Sequence, residues 1–368
     1  MEKGTNIREL FFELIRLSIG TQDGLSRVPS EKEWHALRLM SDKQSLTGIC
    51  FCGAMALANP EEENYAGLTE SEYYEWLSQV LRIQQSNSEI NCQCVQIQNE
   101  IEKAGFRTYI MKGQGNATLY GNLAEYRQPG DIDIYVNGGF RRVLEYVYGT
   151  FPTKEINELE IHYDFFPDTE VEIHYRPFIM RNPFRNRKLQ QFFSSHENEC
   201  FNHRVSLGDA GEISVPTTEF NIVHQMVHIY HHLFTEGVGM RQLMDYYFVL
   251  NNSSGNENVK KTISSLGLSR FASALMWVLK YVFYIDDSKL LLEPDEKRGR
   301  LLLNEIMLSG NFGIKDKRQK KLRKNKWNSY WIVNLKAVRL MTFDPWMWFW
   351  GPLWRLYHFI WRKCHGFK

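Results

Sequence analysis

Two aspartates, Asp131 and Asp133, stand two positions apart at the start of an apolar run, in the segment 130–136 that reads GDIDIYV. On a β-strand, side chains two positions apart point to the same side of the sheet. Two carboxylates placed in this way can bind one hard divalent cation together. The pattern alone is a weak signal, because an acidic pair with no function at a strand edge shows the same sequence pattern.

A second run with ionisable residues at alternate positions follows at 170–176, EVEIHYR. The alternation places Glu170, Glu172, His174 and Arg176 on one face of a strand. We predict that Glu172 is the third carboxylate of a cation site. The shared face then places His174 and Arg176 in the same pocket; for His174, a histidine hydrogen-bonded within the sheet is the alternative.

A glycine turn lies upstream, where a predicted strand ends in Lys112, Gly113, Gln114 and Gly115 and a helix begins. Glycine lets the backbone approach phosphates closely, and a helix N-terminus offers free N–H groups. A glycine turn, an Asp-x-Asp strand and an acidic strand, in this order, are far more specific than any one of them. Together they fit attack on an α-phosphate, in which one ion activates the nucleophile and another holds the triphosphate.

The elements that must position these residues are short strands and helices. Strands are predicted at 106–111 and 132–136, and a helix at 139–148. Two alternating runs, 160–165 and 170–176, predict a hairpin or a pair of adjacent strands. The buried face of this pair is predicted to consist of Ile161, Tyr163, Val171, Ile173 and Tyr175.

Helical periodicity predominates on both sides of this core. Thr69 is predicted to cap a helix that continues to about residue 104, and Thr217 or Thr218 to cap a helix that ends near Phe234. We therefore predict an α+β fold, in which a sheet-containing core lies between helical N- and C-terminal units. The predicted units are 1–104 (helical), 105–216 (the catalytic core), 217–314 (helical) and 315–368 (a basic, Trp-rich tail).

Four stretches of the chain carry a family resemblance. They are MKGQGNATLY at 111–120, RQPGDIDIYV at 127–136, VEIHYR at 171–176, and HIYHH at 228–232 with GMRQLMD at 239–245. They resemble the DNA polymerase beta-like nucleotidyltransferase superfamily, and more narrowly a bacterial family of uncharacterised nucleotidyltransferases often found near surface-polysaccharide genes. The resemblance implies that Asp131, Asp133 and Glu172 bind a pair of Mg²⁺ ions, with Mn²⁺ as the alternative metal. It also implies a small mixed nucleotidyltransferase sheet flanked by helices, and transfer of a nucleoside monophosphate from a nucleoside triphosphate to an acceptor hydroxyl, with release of pyrophosphate.

Six residues are predicted to contact the nucleotide. Gly113 and Gln114 fall where the superfamily places its Gly-Ser phosphate turn, although Gln lacks the serine hydroxyl. Lys112 and Arg127 are predicted to neutralise phosphate charge, since arginine can bind two oxygens at once; a solvated surface role is their alternative. The predicted set is Lys112, Gly113, Gln114, Arg127, His174 and Arg176.

A histidine cluster repeats the i, i+4 spacing of zinc-binding helices at His224, His228 and His232. No His-Glu-x-x-His arrangement accompanies it, and apolar neighbours favour a packed core helix over a zinc site. The resemblance instead implies that His228, His232, Arg241 and Asp245 form a polar network facing the cleft. Arg241 and Asp245, four residues apart, also fit an ordinary helix-surface pair.

The C-terminal tail differs in charge from the rest of the chain. Residues 315–368 hold 14 Lys/Arg against two acidic residues, and seven of the ten tryptophans lie between Trp327 and Trp361. Three interpretations fit: a hairpin packed on the globule, an anionic membrane surface and, less favoured, single-stranded nucleic acid. The apolar stretch is too short for a membrane span, and Gly351-Pro352 interrupts it.

Cysteine usage and the N-terminal segment bear on the compartment. Six cysteines are too few for a disulfide framework, and the two Cys-x-Cys pairs lack zinc-site spacing. Early charged residues interrupt any apolar run, so no secretory signal is predicted. We expect a cytoplasmic protein, peripheral at the inner face of the membrane if the tail binds lipid. Its expected partners are a nucleoside triphosphate and an acceptor, a saccharide or another small molecule. The alternative is a non-catalytic nucleotide-binding scaffold, or a membrane-surface adaptor, in polysaccharide biosynthesis.

Overall fold

The computed structural model describes residues 2–58, 66–151, 153, 155–254, 257–311 and 334–365. The fold is α+β, with a small mixed sheet and helices before and after it, as predicted. The N-terminal helices are α1 (Glu2–Ser18), α2 (Glu31–Lys43), α3 (Thr47–Met55) and α4 (Glu70–Lys103). The predicted cap of α4 is confirmed, because the Thr69 hydroxyl accepts a hydrogen bond from the Glu72 amide.

The main sheet has four strands in the order β1-β2-β4-β3. The strands are β1 (Thr108–Ile110), β2 (Ile132–Val136), β3 (Glu160–His162) and β4 (Val171–His174). β2 and β4 run parallel to each other, while β1 and β3 pair antiparallel at the two edges. The predicted pairing of the runs at 160–165 and 170–176 is therefore confirmed, with shorter strands than the alternation indicated.

One face of the sheet is apolar and packs against α4 and α6 (Gly139–Thr150). Alternation along each strand sends every second side chain to this face. All five residues predicted to share it lie in its buried cluster: Ile161, Tyr163, Val171, Ile173 and Tyr175. The opposite face is consequently left with the ionisable residues.

The connection between β1 and β2 differs from the single short helix that was predicted. It consists of α5 (Gln114–Ala117) and a 3₁₀ segment, Thr118–Tyr126. Gly121 has a positive φ of 57° inside that segment, which breaks the helical path. The chain is thereby turned back before it enters β2.

The helices that follow β4 are α7 (Pro183–Asn202), α8 (Thr218–Phe234), α9 (Met240–Asn251), α10 (Glu257–Ser265), α11 (Ser269–Phe283) and α12 (Glu296–Ser309). α7 and α8 pack on the face of the sheet opposite α4 and α6, where Phe201 and Phe220 contact Tyr109. A small hairpin that the sequence did not predict, β5 (Arg204–Ser206) and β6 (Glu212–Ser214), joins α7 to α8. The predicted start of α8 at Thr217 or Thr218 and its end at Phe234 are confirmed.

The described part of the tail packs on the globule. Ala337, Leu340 and Phe343 are buried in the main core, and Asp344 pairs with Arg185 and accepts a hydrogen bond from Tyr230. The last described helix, α13 (Met347–Cys364), begins shortly after Asp344 and Pro345 and continues through Pro352. The basic run 315–326 lies outside the described residues. Within the ranges given above, no helix combines the length and the apolar character needed to cross a membrane.

Candidate active site

Three carboxylates lie together on the polar face of the sheet. Asp131 directly precedes β2 and Asp133 lies within it, so alternation sends both side chains to the same side. β4 runs parallel beside β2 with Glu172 directly opposite Asp133. The short loop before β2 and the register of two strands thus position all three groups.

Asp133 is buried and carries two positively charged neighbours. Its Oδ1 lies 2.7 Å from Nζ of Lys112 and 3.0 Å from Nε2 of His174. Burial opposes ionisation, but Lys112 and then His174 outweigh it and hold the pKa of Asp133 well below its ordinary value. Asp133 is therefore a carboxylate at neutral pH.

The two other carboxylates show the opposite effect. The charge of Asp133, and then burial, raise the pKa of Asp131. Burial first raises the pKa of Glu172, to about 7, and the charges of Asp133 and Glu160 add to it. Carboxylates that repel one another in a buried site favour a bound cation.

Two sets of three side chains in the described ranges bring their ligand atoms within 4.8 Å of one another: Asp133, Glu172 and His174, and also Glu160, His162 and Glu172. Mg²⁺ prefers oxygen ligands, whereas Mn²⁺ also accepts imidazole. The carboxylates fit either ion, and the histidines favour Mn²⁺.

His174 connects these groups. Its Nε2 lies 3.3 Å from Glu160 and 3.6 Å from Glu172, in addition to its contact with Asp133. Burial opposes protonation of the ring, but Glu160 and the hydrogen-bonded carboxylates raise the pKa of His174 to about 10. In this structure, Lys112 and His174 supply the positive charge beside Asp133.

Sequence reasoning did not select Glu160 or His162, although the alternation of β3 was recognised. The register of β3 and β4 places Glu160 opposite His174 and His162 opposite Glu172. The signal was present in the same alternation that selected Glu172, since all three residues share one face.

The glycine turn lies beside the carboxylates. Gly113 has a φ of 54°, a left-handed backbone that favours glycine. Lys112 and Gly113 line a small cavity of about 50 Å³ together with Asp131 and Asp133. The Gln114 side chain points the other way and donates hydrogen bonds to Asn87 and Asn91 of α4.

Arg127 is buried and paired with Asp245. Its Nε and Nη2 donate to the two carboxylate oxygens of Asp245 at 2.7 and 2.8 Å, and the Tyr120 hydroxyl donates to the same group. Arg241 donates to the carbonyl oxygens of Gln128 and Pro129. These bonds attach α9 to the loop that leads into Asp131. Burial opposes ionisation of Asp245, but Arg127, and then Tyr120 and Arg241, lower its pKa.

The α8 histidines lie at the cleft. Nε2 of His228 is 3.1 Å from Nζ of Lys112 and 3.0 Å from Nε2 of His232. Burial, and then the charge of Lys112, hold the pKa of His228 well below its ordinary value. His228 is therefore neutral and accepts a hydrogen bond from Lys112.

The cleft itself has a volume of about 560 Å³. Of the predicted residues, its lining includes Lys112, Asp131, Glu172, His174, His228 and His232. Its outer wall is formed by Trp354, His358 and Arg362 of α13. No sequence signal linked the tail to this cleft. Arg176 is exposed and lines a separate cavity beside α13.

A small mixed sheet with three carboxylates on one face, next to a glycine turn, is typical of nucleotidyltransferase-like proteins. The chain belongs to the family described as "Uncharacterised nucleotidyltransferase", which matches residues 30–284. The matched range contains all three carboxylates and ends before α13. No match was found among curated proteins. Among solved structures, the chain is similar to an antigenic nucleotidyltransferase-like protein from Paracoccidioides brasiliensis, with 11% identity and a TM-score of 0.29 over 58% of this chain and 97% of that chain.

Proposed function

We propose that the protein is a metal-dependent nucleotidyltransferase of the DNA polymerase beta-like superfamily. It would transfer a nucleoside monophosphate from a nucleoside triphosphate to the hydroxyl of a saccharide or another small molecule. The observation that carries this proposal is the register of β2 and β4, which sets Glu172 directly beside Asp133. Asp131, two residues before Asp133, adds the third carboxylate on the same face.

Each of these residues would have its own role in the transfer reaction. The acceptor oxygen attacks the α-phosphorus, and the bond from that phosphorus to the pyrophosphate oxygen breaks. Asp131, Asp133 and Glu172 would hold Mg²⁺ or Mn²⁺, which when bound neutralises the phosphate oxygens and lowers the pKa of the attacking hydroxyl. Glu172, directly opposite Asp133 on the same face, would also be placed to accept the hydroxyl proton. Lys112 would neutralise charge on the leaving pyrophosphate.

Calorimetric titration of ATP, CTP, GTP and UTP, each with and without Mg²⁺, tests this function. We expect binding of at least one nucleotide to require the metal and to be lost in Asp131→Asn/Asp133→Asn. Asp164→Asn, which changes an exposed aspartate after β3, is the matched control. Metal-independent binding that survives the double substitution would contradict the proposed site.

Pyrophosphate release separates an enzyme from a nucleotide-binding scaffold. With a hydroxyl acceptor present, wild-type protein should release pyrophosphate, and Asp133→Asn should abolish release while keeping the fold. Nucleotide binding without release across an acceptor screen would favour the scaffold.

A second function, docking on an anionic membrane, is favoured by one observation on α13. Phe349, Leu356, Phe359 and Ile360 are each at least 43% exposed and share the face opposite the buried Met347 and Gly351. Aromatic and aliphatic side chains next to basic residues suit the headgroup region of a bilayer. Basic residues precede α13 in the sequence, with eight Lys/Arg among the twelve residues 315–326.

Co-sedimentation with vesicles tests the membrane proposal. We expect binding to vesicles rich in phosphatidylglycerol, little binding to pure phosphatidylcholine, and loss of binding in Leu356→Asp/Phe359→Asp. Leu39→Asp/Leu81→Asp, at exposed leucines of α2 and α4, is the control. If the first variant instead converts a dimer into a monomer, the face binds a second copy of the chain and not lipid.

A further inference from the structure

A second cavity adjoins the cleft on the side of α13. Its volume is about 370 Å³, and it lies between α13 and the segment that joins β4 to α7. Glu158, Ile179 and Trp354 line both this cavity and the cleft. The cavity and the cleft are therefore adjacent and share one wall.

Arg181 lines this cavity and forms no ion pair with a carboxylate in the described part of the chain. Its Nε is buried and has no hydrogen-bond partner among those residues. Burial, and then the charge of Arg355, lower the pKa of Arg181 to about 10, against a smaller opposing effect of Glu158. A buried guanidinium without an ion-pair partner destabilises the fold, so its presence indicates a use other than stability.

The guanidinium groups of Arg181 and Arg355 converge on Gly351. A Cβ added at Gly351 would lie 3.6 Å from Nη1 of Arg181 and 4.0 Å from Nη2 of Arg355. Arg176 adds a third positive charge to the lining of the cavity. Glycine at position 351 leaves room for the two guanidinium groups, and the charge of Arg355 adds to the positive potential around Arg181.

The remaining lining suits the body of a small molecule. Trp350, Trp354 and Tyr357 form an aromatic wall, and Cζ of Arg181 lies 5.3 Å from the ring centre of Trp354. Glu158 is the one acidic residue among the described residues that line the cavity, and it pairs with His358. The balance of charge therefore favours an anion.

We propose that Arg176 and Arg181, the arginine pocket, bind the phosphate group of a phosphorylated ligand. Resting on the proposed function, this ligand is the acceptor: its phosphate lies in the arginine pocket and its hydroxyl reaches Glu172 in the adjoining cleft. The volume exceeds that of a single phosphate and admits a phosphorylated sugar or polyol. A water-soluble phosphate ester and a lipid headgroup offer the same chemistry to the pocket.

Titration of the full-length protein with inorganic phosphate, and separately with glucose 1-phosphate, tests the arginine pocket. We expect Arg181→Gln to weaken binding of both about tenfold or more. Arg187→Gln, at an exposed arginine of α7, should leave both affinities unchanged. Equal affinities in wild type and Arg181→Gln would overturn the proposal.

Thermal stability distinguishes a ligand-binding arginine from a structural one. In phosphate-free buffer, Arg181→Gln should raise the melting temperature, because it removes an uncompensated buried charge. A lowered melting temperature would show that Arg181 supports the fold, and would overturn the assignment.

Two further measurements separate the sources of phosphate and the two proposals. If Arg181→Gln loses binding of glucose 1-phosphate but keeps binding to vesicles, the ligand is a soluble phosphate ester. If Arg181→Gln loses binding to phosphatidic acid vesicles, the ligand is a lipid headgroup. Asp131→Asn/Asp133→Asn should keep the phosphate affinity while losing metal-dependent nucleotide binding. Failure of the arginine pocket is thus distinguishable from failure of the proposed transferase.

Discussion

Lys112 and Asp133 form an ion pair of 2.7 Å that joins the glycine turn to the central strand of the sheet. Burial disfavours the ammonium, but the charges of Asp133, Asp131 and Glu172 outweigh it and raise the pKa of Lys112. The lysine thus takes the position of a counter-ion to the carboxylates. A bound metal ion and Lys112 would compete for the same negative charge.

That competition predicts opposite effects of Lys112→Met on two ligands. Mn²⁺ alone should bind about tenfold more tightly, because Asp133 loses its competing cation. The nucleoside triphosphate should bind about 10- to 100-fold more weakly, because a charge-assisted hydrogen bond worth about 1.5–3 kcal/mol is lost. Calorimetry with each ligand, and with Lys261→Met as an exposed control on α10, measures both. Weaker binding of Mn²⁺ in Lys112→Met would show that the two cations do not compete.

The pair of Arg127 and Asp245 predicts a large effect on stability. Arg127→Met leaves Asp245 buried without its cation, and removal of one partner of a buried pair costs about 3–5 kcal/mol. Urea denaturation should show this loss, and Lys260→Met, in the exposed pair with Glu257, should cost under about 1 kcal/mol. A loss below 1 kcal/mol in Arg127→Met would indicate that Arg127 is held in place for ligand binding instead.

Gln114 is predicted to stabilise the fold rather than to bind phosphate. Its amide donates to Asn91 at 2.5 Å and Asn87 at 3.3 Å, both on α4. Gln114→Ala should lower the free energy of unfolding by about 1–3 kcal/mol, since it leaves buried acceptors unsatisfied. The affinity for the nucleoside triphosphate should change less than about threefold. A large loss of nucleotide affinity at unchanged stability would restore the role that the sequence suggested.

The sequence predicted what depends on local alternation. The alternation of the runs 160–165 and 170–176 predicted the buried face of β3 and β4, and the two-residue spacing predicted the common side of Asp131 and Asp133. The cap at Thr69 and the start of α8 at Thr217 are likewise local signals, although the Thr217 side chain makes no capping hydrogen bond. The four-unit division of the chain stays a prediction.

Contacts between distant segments could not be predicted in the same way. Arg127 and Asp245 are 118 residues apart, and their pairing depends on packing of α9 on the loop before β2. The buried contact of Asp344 with Arg185 likewise joins residues that are 159 positions apart. Trp354 and His358 line the cleft because the tail packs on the core. The periodicity of a sequence does not predict such packing.

The pH dependence of stability follows from a histidine buried on α8. His224 is fully buried, and its Nε2 lies 3.2 Å from the carbonyl oxygen of Pro177. Burial, and then the charge of Lys112, lower the pKa of His224 to about 3, from an ordinary value of 6.5. Below pH 6.5 the unfolded chain therefore binds a proton that the folded protein does not. The contribution of His224 is fully present above pH 6.5 and is lost as the pH falls towards 3.

Each such histidine lowers the free energy of unfolding by at most about 1.4 kcal/mol per pH unit. His228 and His231, whose pKa values burial also lowers, add to the slope in the wild type. His224→Gln keeps a hydrogen-bond donor for the Pro177 carbonyl. It should reduce the change of the free energy of unfolding with pH by the contribution of one histidine. Urea denaturation at about pH 7, 6 and 5 measures it, with His203→Gln as the exposed control. An unchanged slope in His224→Gln would mean that His224 binds its proton inside the folded protein, which the neighbouring Lys112 ammonium opposes.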